Sequence, residues 1–93
     1  MRQHSIRFEV LLAMLKYLED MPPQSKTQVV CASRTTPAKA REIFADAMAA
    51  EYIEPSEIEP RCYTISGAGK EFLRIANRLY FTLGWVLKGD EKR

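Results

Sequence analysis

Apolar residues return along the first twenty positions at steps of three and four, so that Phe8, Leu11, Leu12, Leu15 and Leu18 share one stripe of a helix predicted over Ser5 to Glu19. A second row, Ile6, Val10, Met14 and Tyr17, runs beside it. Two rows exceed what a single buried face needs, and this helix is expected to serve its own core and to touch a second chain. Pro22-Pro23 ends it, because the residue before a proline is pushed out of the helical region. Ser25 with Gln28 three positions later is a capping-box pattern, opening a short helix to about Ala32 with Val29 and Val30 inward. Ser33-Arg34-Thr35 reads as a turn. Thr36 then suits an N-cap, and Pro37 suits the first helical position, where its missing amide donor would have been orphaned anyway. The third helix extends to about Ala50 or Glu51, with Ala40, Ile43, Phe44, Ala47 and Met48 inward and Ala38, Glu42, Ala45 and Ala49 opposite.

The pattern then shortens. Tyr52-Ile53-Glu54 and Arg61-Cys62-Tyr63-Thr64-Ile65 are rich in aromatic and β-branched residues and flank a proline-bounded loop, Pro55 to Pro60, which predicts a two-stranded hairpin. Ser66 is placed to cap a final helix from about Ala68 to Lys88, with Gly89 as its stop and a loose tail beyond. The whole is an α+β single domain over residues 1–93 with the element order of a winged helix-turn-helix. Three N-terminal helices (helix-turn-helix at about 25–50) precede a hairpin wing (about 52–65) and a long C-terminal dimerisation helix (about 68–88).

On that last helix Phe72, Ala76, Leu79, Leu83 and Val86 follow heptad spacing, Leu73, Tyr80 and Leu87 form another row, and Phe81 and Trp85 lie on a further side. This is more apolar surface than one small domain covers. Either the helix lies across the core with an aromatic or two exposed, or the terminal helices of two chains pack together. The second reading is preferred, a homodimer through Phe72, Ala76, Leu79, Tyr80, Leu83, Trp85 and Val86. Gly84 within the helix costs about 1 kcal/mol relative to alanine, which suits a close helix crossing.

Composition narrows the picture. Of 93 residues, 46% are hydrophobic, enough to close one core and no more. The longest apolar run, Leu79 to Leu87, is broken by Thr82 and Gly84 and falls well short of the roughly 20 residues that cross a bilayer. The acidic residues Glu9, Glu19 and Asp20 interrupt the N-terminal region, and with no small-residue cleavage site there an intracellular protein without a membrane partner is expected. The net charge of +2 says little, but its distribution says more. Lys26, Arg34, Lys39 and Arg41 fall between Gln24 and Arg41 with no acid among them. Glu42, Asp46, Glu51, Glu54, Glu57 and Glu59 then follow with no base, and the chain turns basic again through Arg61, Lys70, Arg74 and Arg78.

The basic stretch surrounds the turn and the start of the third helix, where orphan amides and the helix dipole favour phosphate. In a helix-turn-helix the second helix enters the major groove N-terminus first. The candidate contacts to double-stranded DNA are therefore Lys26, Arg34, Thr35, Thr36, Ala38, Lys39, Arg41 and Glu42, with Arg61 at the base of the wing. Arg41 has the fork for guanine, Glu42 the acceptor for cytosine, and Ala38 and Ala45 the methyl surface for thymine. The plain alternative for each is a solvated charge on a surface helix. Glu54, Glu57 and Glu59 would be repelled by phosphates, so the wing tip is expected to stay clear of DNA, to serve protein contact, or to leave the backbone to Arg61 alone.

The sequence Tyr63-Thr64-Ile65, Ser66-Gly67-Ala68-Gly69, Lys70-Glu71-Phe72, with Glu51-Tyr52-Ile53 upstream, resembles winged-helix regulators of the MarR/SlyA type, and more closely the small winged-helix proteins of archaea and their viruses. The resemblance spans about Ile6 to Leu87. It implies a transcriptional regulator, a symmetric dimer that sets two recognition helices, here Thr36 to Ala50, in successive major grooves of a palindromic site roughly 34 Å apart. The chain departs from the MarR pattern in lacking an Asp-Arg-Arg type of wing, and its short ends leave little room for a ligand pocket, so no small-molecule effector is expected.

Cys31 and Cys62 lie thirty-one positions apart with His4 distant, which is no zinc spacing, and no metal or cofactor is expected. Reduced thiols are the ordinary state inside a cell; the rival is a disulfide, most plausibly between chains. No nucleophile-base pair, phosphate loop or carboxylate-histidine cluster points to an enzyme. The competing function is a winged helix that binds a transcription or structural partner through its acidic patch and apolar terminal helix.

Overall fold

A computed structural model describes the backbone of residues 2–91 and the side chains of residues 7–79. The elements are α1 (Arg2–Asp20), β1 (Gln24–Ser25), α2 (Lys26–Ala32), α3 (Pro37–Ala49), β2 (Ile53–Pro55), β3 (Cys62–Ile65) and α4 (Gly67–Glu91). The fold is thus α+β, four helices with one small antiparallel sheet in the order β1-β3-β2. Among the described residues no helix is long and apolar enough to cross a membrane.

The helix starts form as their caps dictate. Ser25 Oγ accepts from the Gln28 amide at 3.2 Å while Gln28 Oε1 accepts from the Ser25 amide at 2.8 Å, a complete capping box. Thr36 Oγ1 accepts from the Lys39 amide, and Pro37 holds the first helical position of α3. The end of α3 is a Schellman closure: the Glu51 amide donates to the Met48 carbonyl at 3.0 Å and the Tyr52 amide to the Ala47 carbonyl at 2.9 Å. Glu51 itself takes the left-handed conformation (φ 64°) that glycine usually supplies there.

α1 packs against α2, α3, α4 and β3, and this explains its two apolar rows. Val10 and Met14, expected to reach another chain, are buried in the chain's own core beside Leu12, Leu15 and Leu18; Ile6 lies outside the described side chains. A helix covered from several directions buries more than one stripe. Val29, Val30, Ala40, Ile43, Phe44, Ala47, Ile53, Ile65, Leu73 and Ala76 complete the core. Phe72 stacks on Tyr52 at 4.6 Å and meets Phe8 edge-on at 6.1 Å, joining α4, the start of the hairpin and α1.

β2 and β3 form the expected hairpin, registered Ile53 with Ile65, Glu54 with Thr64 and Pro55 with Tyr63. β1 is a third strand that the hydrophobic pattern does not announce. It pairs Gln24 with Tyr63 and Ser25 with Cys62. Gln24 is buried, yet its amide group is satisfied: it donates to the Pro22 and Pro23 carbonyls and accepts from the Tyr17 hydroxyl at 2.6 Å.

Ser66 joins α3 to α4. Its hydroxyl donates to the Glu51 carbonyl at 2.6 Å and accepts from the Gly69 amide at 2.9 Å, while its own amide donates to the Tyr52 carbonyl at 3.0 Å. α4 starts at Gly67 and continues through Gly84 and Gly89 to Glu91, so Gly89 does not stop it. A glycine within a long helix lowers its stability without ending it unless the chain turns left-handed there, and no glycine of the described chain does.

Candidate nucleic-acid interface

α2, the turn at Ser33 to Thr35, and α3 present the candidate contacts. Ser33 is buried and fastens the turn, its hydroxyl donating to the Val30 carbonyl at 2.6 Å. Arg34 follows with φ 62°, and this left-handed residue swings the chain from α2 into α3. Thr36, Ala38, Arg41, Glu42, Ala45 and Ala49 are exposed, Lys39 and Thr35 half-buried. The outward ridge of α3 is thus small, Ala38, Ala45 and Ala49, with charges on its flanks.

Those flanks differ. Arg41, three positions before Phe44, shares the flank where Phe44 meets Tyr63 at 5.1 Å and where the Lys26 ammonium stands 5.7 Å above the Phe44 ring. The β1–β3 pairing brings in Arg61 as well: Ser25 faces Cys62, so Lys26 and Arg61 follow and precede facing residues. Of these cations Lys26 is the one seated against α3, over Phe44. Arg61 is a second left-handed arginine (φ 61°), placed after Pro60 in the turn that closes the hairpin. Left-handed backbone costs a non-glycine residue about 1 kcal/mol or more, and two of the three such positions hold arginine.

Elsewhere Arg34 and Thr35 border a groove against Glu9, Val10 and Ala13 of α1. Glu42 carries an ion pair that the sequence did not announce: Arg7 Nη1 lies 3.1 Å from its Oε1, and Arg7 Nη2 contacts Asp46. Glu42 and Asp46 are one turn apart, so a single guanidinium reaches both. Arg7 is the residue missed from sequence; the signal for it was the uncompensated acid pair at this spacing on α3. Among the described residues Arg34, Lys39, Arg41 and Arg61 have no carboxylate partner.

The hairpin tip carries Glu57 and Glu59, with Ile58 84% exposed between them, and Glu54 stands exposed on β2. Ser56 Oγ accepts from the Ile58 and Glu59 amides, holding the tip in shape.

The dimer set divides. Ala76 is buried in the core and Phe72 is half-buried against Tyr52 and Phe8, so both belong chiefly to the chain's own packing. Leu79 is 55% exposed, and Ile75, one turn before it and absent from the predicted seam, is 53% exposed. The side chains of Tyr80, Leu83, Trp85 and Val86 lie outside the described residues, as does His4. Cys31 is exposed, Cys62 half-buried, and both are free thiols, so no disulfide joins them within the chain. Among the described residues no group of acidic, histidine or cysteine side chains could hold a metal.

Comparison with protein-family models, with curated proteins and with solved structures gives no match.

Proposed function

We propose that this chain is a winged helix-turn-helix protein that binds double-stranded DNA as a homodimer and regulates transcription, presenting the N-terminal half of α3 to the major groove. The observation that carries this reading is the charge arrangement around α3. Arg34, Lys39 and Arg41 are left without carboxylate partners among the described residues, while both acids on the same helix are taken up by Arg7 from behind. A small outward ridge, Ala38, Ala45 and Ala49, lets a helix approach base edges closely. Lys26 and Arg61, each next to a member of the Ser25–Cys62 pair, offer further cations for phosphate. The acidic tip stays clear of DNA, and the wing's contact reduces to Arg61. Ile75 and Leu79 begin the surface through which a second copy packs on α4.

The test is duplex binding by fluorescence anisotropy across a salt series. Affinity should fall steeply between about 50 and 200 mM salt, and Arg34→Ala/Lys39→Ala/Arg41→Ala should flatten the log-log slope by about 2 to 3 for each protomer bound, through lost phosphate contacts. Unchanged binding by the triple variant would reject the assignment. Absence of duplex binding by the wild-type chain at low salt would reject the function itself, in favour of a partner-binding winged helix.

A further inference from the structure

Arg7 stands on α1, outside every element proposed to meet DNA. Its guanidinium bridges Glu42 and Asp46 from the rim of an apolar groove floored by Phe8, Leu11, Ile43 and Ala47. The Arg7 side chain is 33% exposed, against 62% and 64% for the two acids. The acids thus remain at the surface but are drawn toward α1.

Without this bridge α3 has no net charge to offer DNA. Between Pro37 and Ala49 it holds two cations, Lys39 and Arg41, and two anions, Glu42 and Asp46. Its first half, which leads into the groove, would then bring the Glu42 carboxylate toward phosphates, with Asp46 one turn behind it. An exposed ion pair contributes little to folding, so the bridge is of small consequence for stability. It is of larger consequence for what α3 shows a polyanion. The fork of an arginine is also what the geometry requires, because two separate carboxylates are engaged by two nitrogens of one side chain.

We infer that Arg7 is a positioning and specificity-determining residue for DNA binding: it masks Glu42 and Asp46 from the phosphates and withholds Glu42 from cytosine amino groups. This rests on the DNA-binding reading above. Arg7 acts through the two acids and touches no DNA itself, which separates it from an ordinary phosphate-contacting arginine.

The experiment is a cycle of four proteins on one labelled duplex: wild type, Arg7→Gln, Glu42→Gln/Asp46→Asn, and the three changes combined. Unmasking costs about threefold for each charge, the scale of an exposed ion pair, so Arg7→Gln should weaken binding roughly tenfold for each protomer bound. The combined variant should return to wild-type affinity or exceed it. Arg7→Lys, which keeps the charge but not the fork, should fall between wild type and Arg7→Gln. Equal loss on removing Arg7 in both backgrounds would show direct phosphate contact and overturn the inference while leaving DNA binding intact. No duplex binding by the wild type would overturn both. A second readout is independent of overall affinity and of folding. Fragments selected from random duplex by Arg7→Gln should gain cytosine at positions under α3, and Arg7→Gln/Glu42→Gln should lose that gain; identical base preferences in wild type and Arg7→Gln would also overturn it.

Discussion

Replacing Gly69 by alanine tests the tightest junction in the molecule. A Cβ on Gly69 would lie 2.2 Å from the Tyr52 carbonyl oxygen and 2.8 Å from Ile65 Cγ1, where ordinary contact begins at 3.4 Å. The first neighbour is backbone and cannot rotate aside, so α4 and the residues after α3 must part by about 1 Å, at a typical overpacking cost of about 1–3 kcal/mol. The same carbonyl accepts the Ser66 amide at 3.0 Å, and loosening that bond adds up to about 1 kcal/mol. Alanine returns at most about 1 kcal/mol of helix propensity. The net expectation is a loss of about 2 kcal/mol, which in a domain of this size lowers the thermal midpoint by about 8–16 °C. Gly67, two residues earlier, has nothing within 4 Å of its Cβ position. Gly67→Ala should therefore hold or raise the midpoint by a few degrees. Thermal melts followed by far-ultraviolet circular dichroism decide the matter. Gly69→Ala as stable as the wild type, or both variants moving together, would refute the close-approach argument.

Glu51→Gly removes the left-handed strain at the end of α3 and should stabilise the chain by about 0.5–1 kcal/mol in urea unfolding, since its Schellman hydrogen bonds come from the backbone and survive the change. Loss of stability would mean that the Glu51 side chain contributes more than its conformation costs. Ile75→Asp with Leu79→Asp should convert a dimer to monomer in sedimentation equilibrium, weakening association by about 100-fold or more, with little effect on monomer folding because both side chains are half exposed. An unchanged association constant would move the dimer contact elsewhere.

The residues that cap and turn the chain were readable because their chemistry is local. Ser25, Gln28, Thr36 and Pro37 do in the structure what their spacing announces, and the inward residues of α3 follow from helical period alone. β1 was not readable: two polar residues after a proline pair have no alternation to show, and only pairing with Cys62 and Tyr63 makes them a strand. Nor could the pattern say which partner covers Val10 and Met14, because periodicity gives a buried face but not its neighbour. Nor does heptad spacing tell Ala76, which is buried in the core, and Phe72, half-buried against it, from the exposed Leu79. In the candidate interface the basic residues were legible by their run along the chain. The ion pair of Glu42 was not, since its partner Arg7 is 35 positions away.

The three bonds of Ser66 turn the chain's corner into a stiff elbow. The carbonyl of Glu51, the carbonyl of Tyr52 and the amide of Gly69 all converge on one small residue, so α3 and the first turn of α4 have little freedom to move apart. In an assembly joined through α4, the two copies of α3 would therefore ride on the crossing of those long helices like the tips of calipers on their hinge. A change of a few degrees at the crossing would alter the span between the tips, and the permitted spacing of half-sites on DNA would be set far from any base, at the elbow and the crossing together.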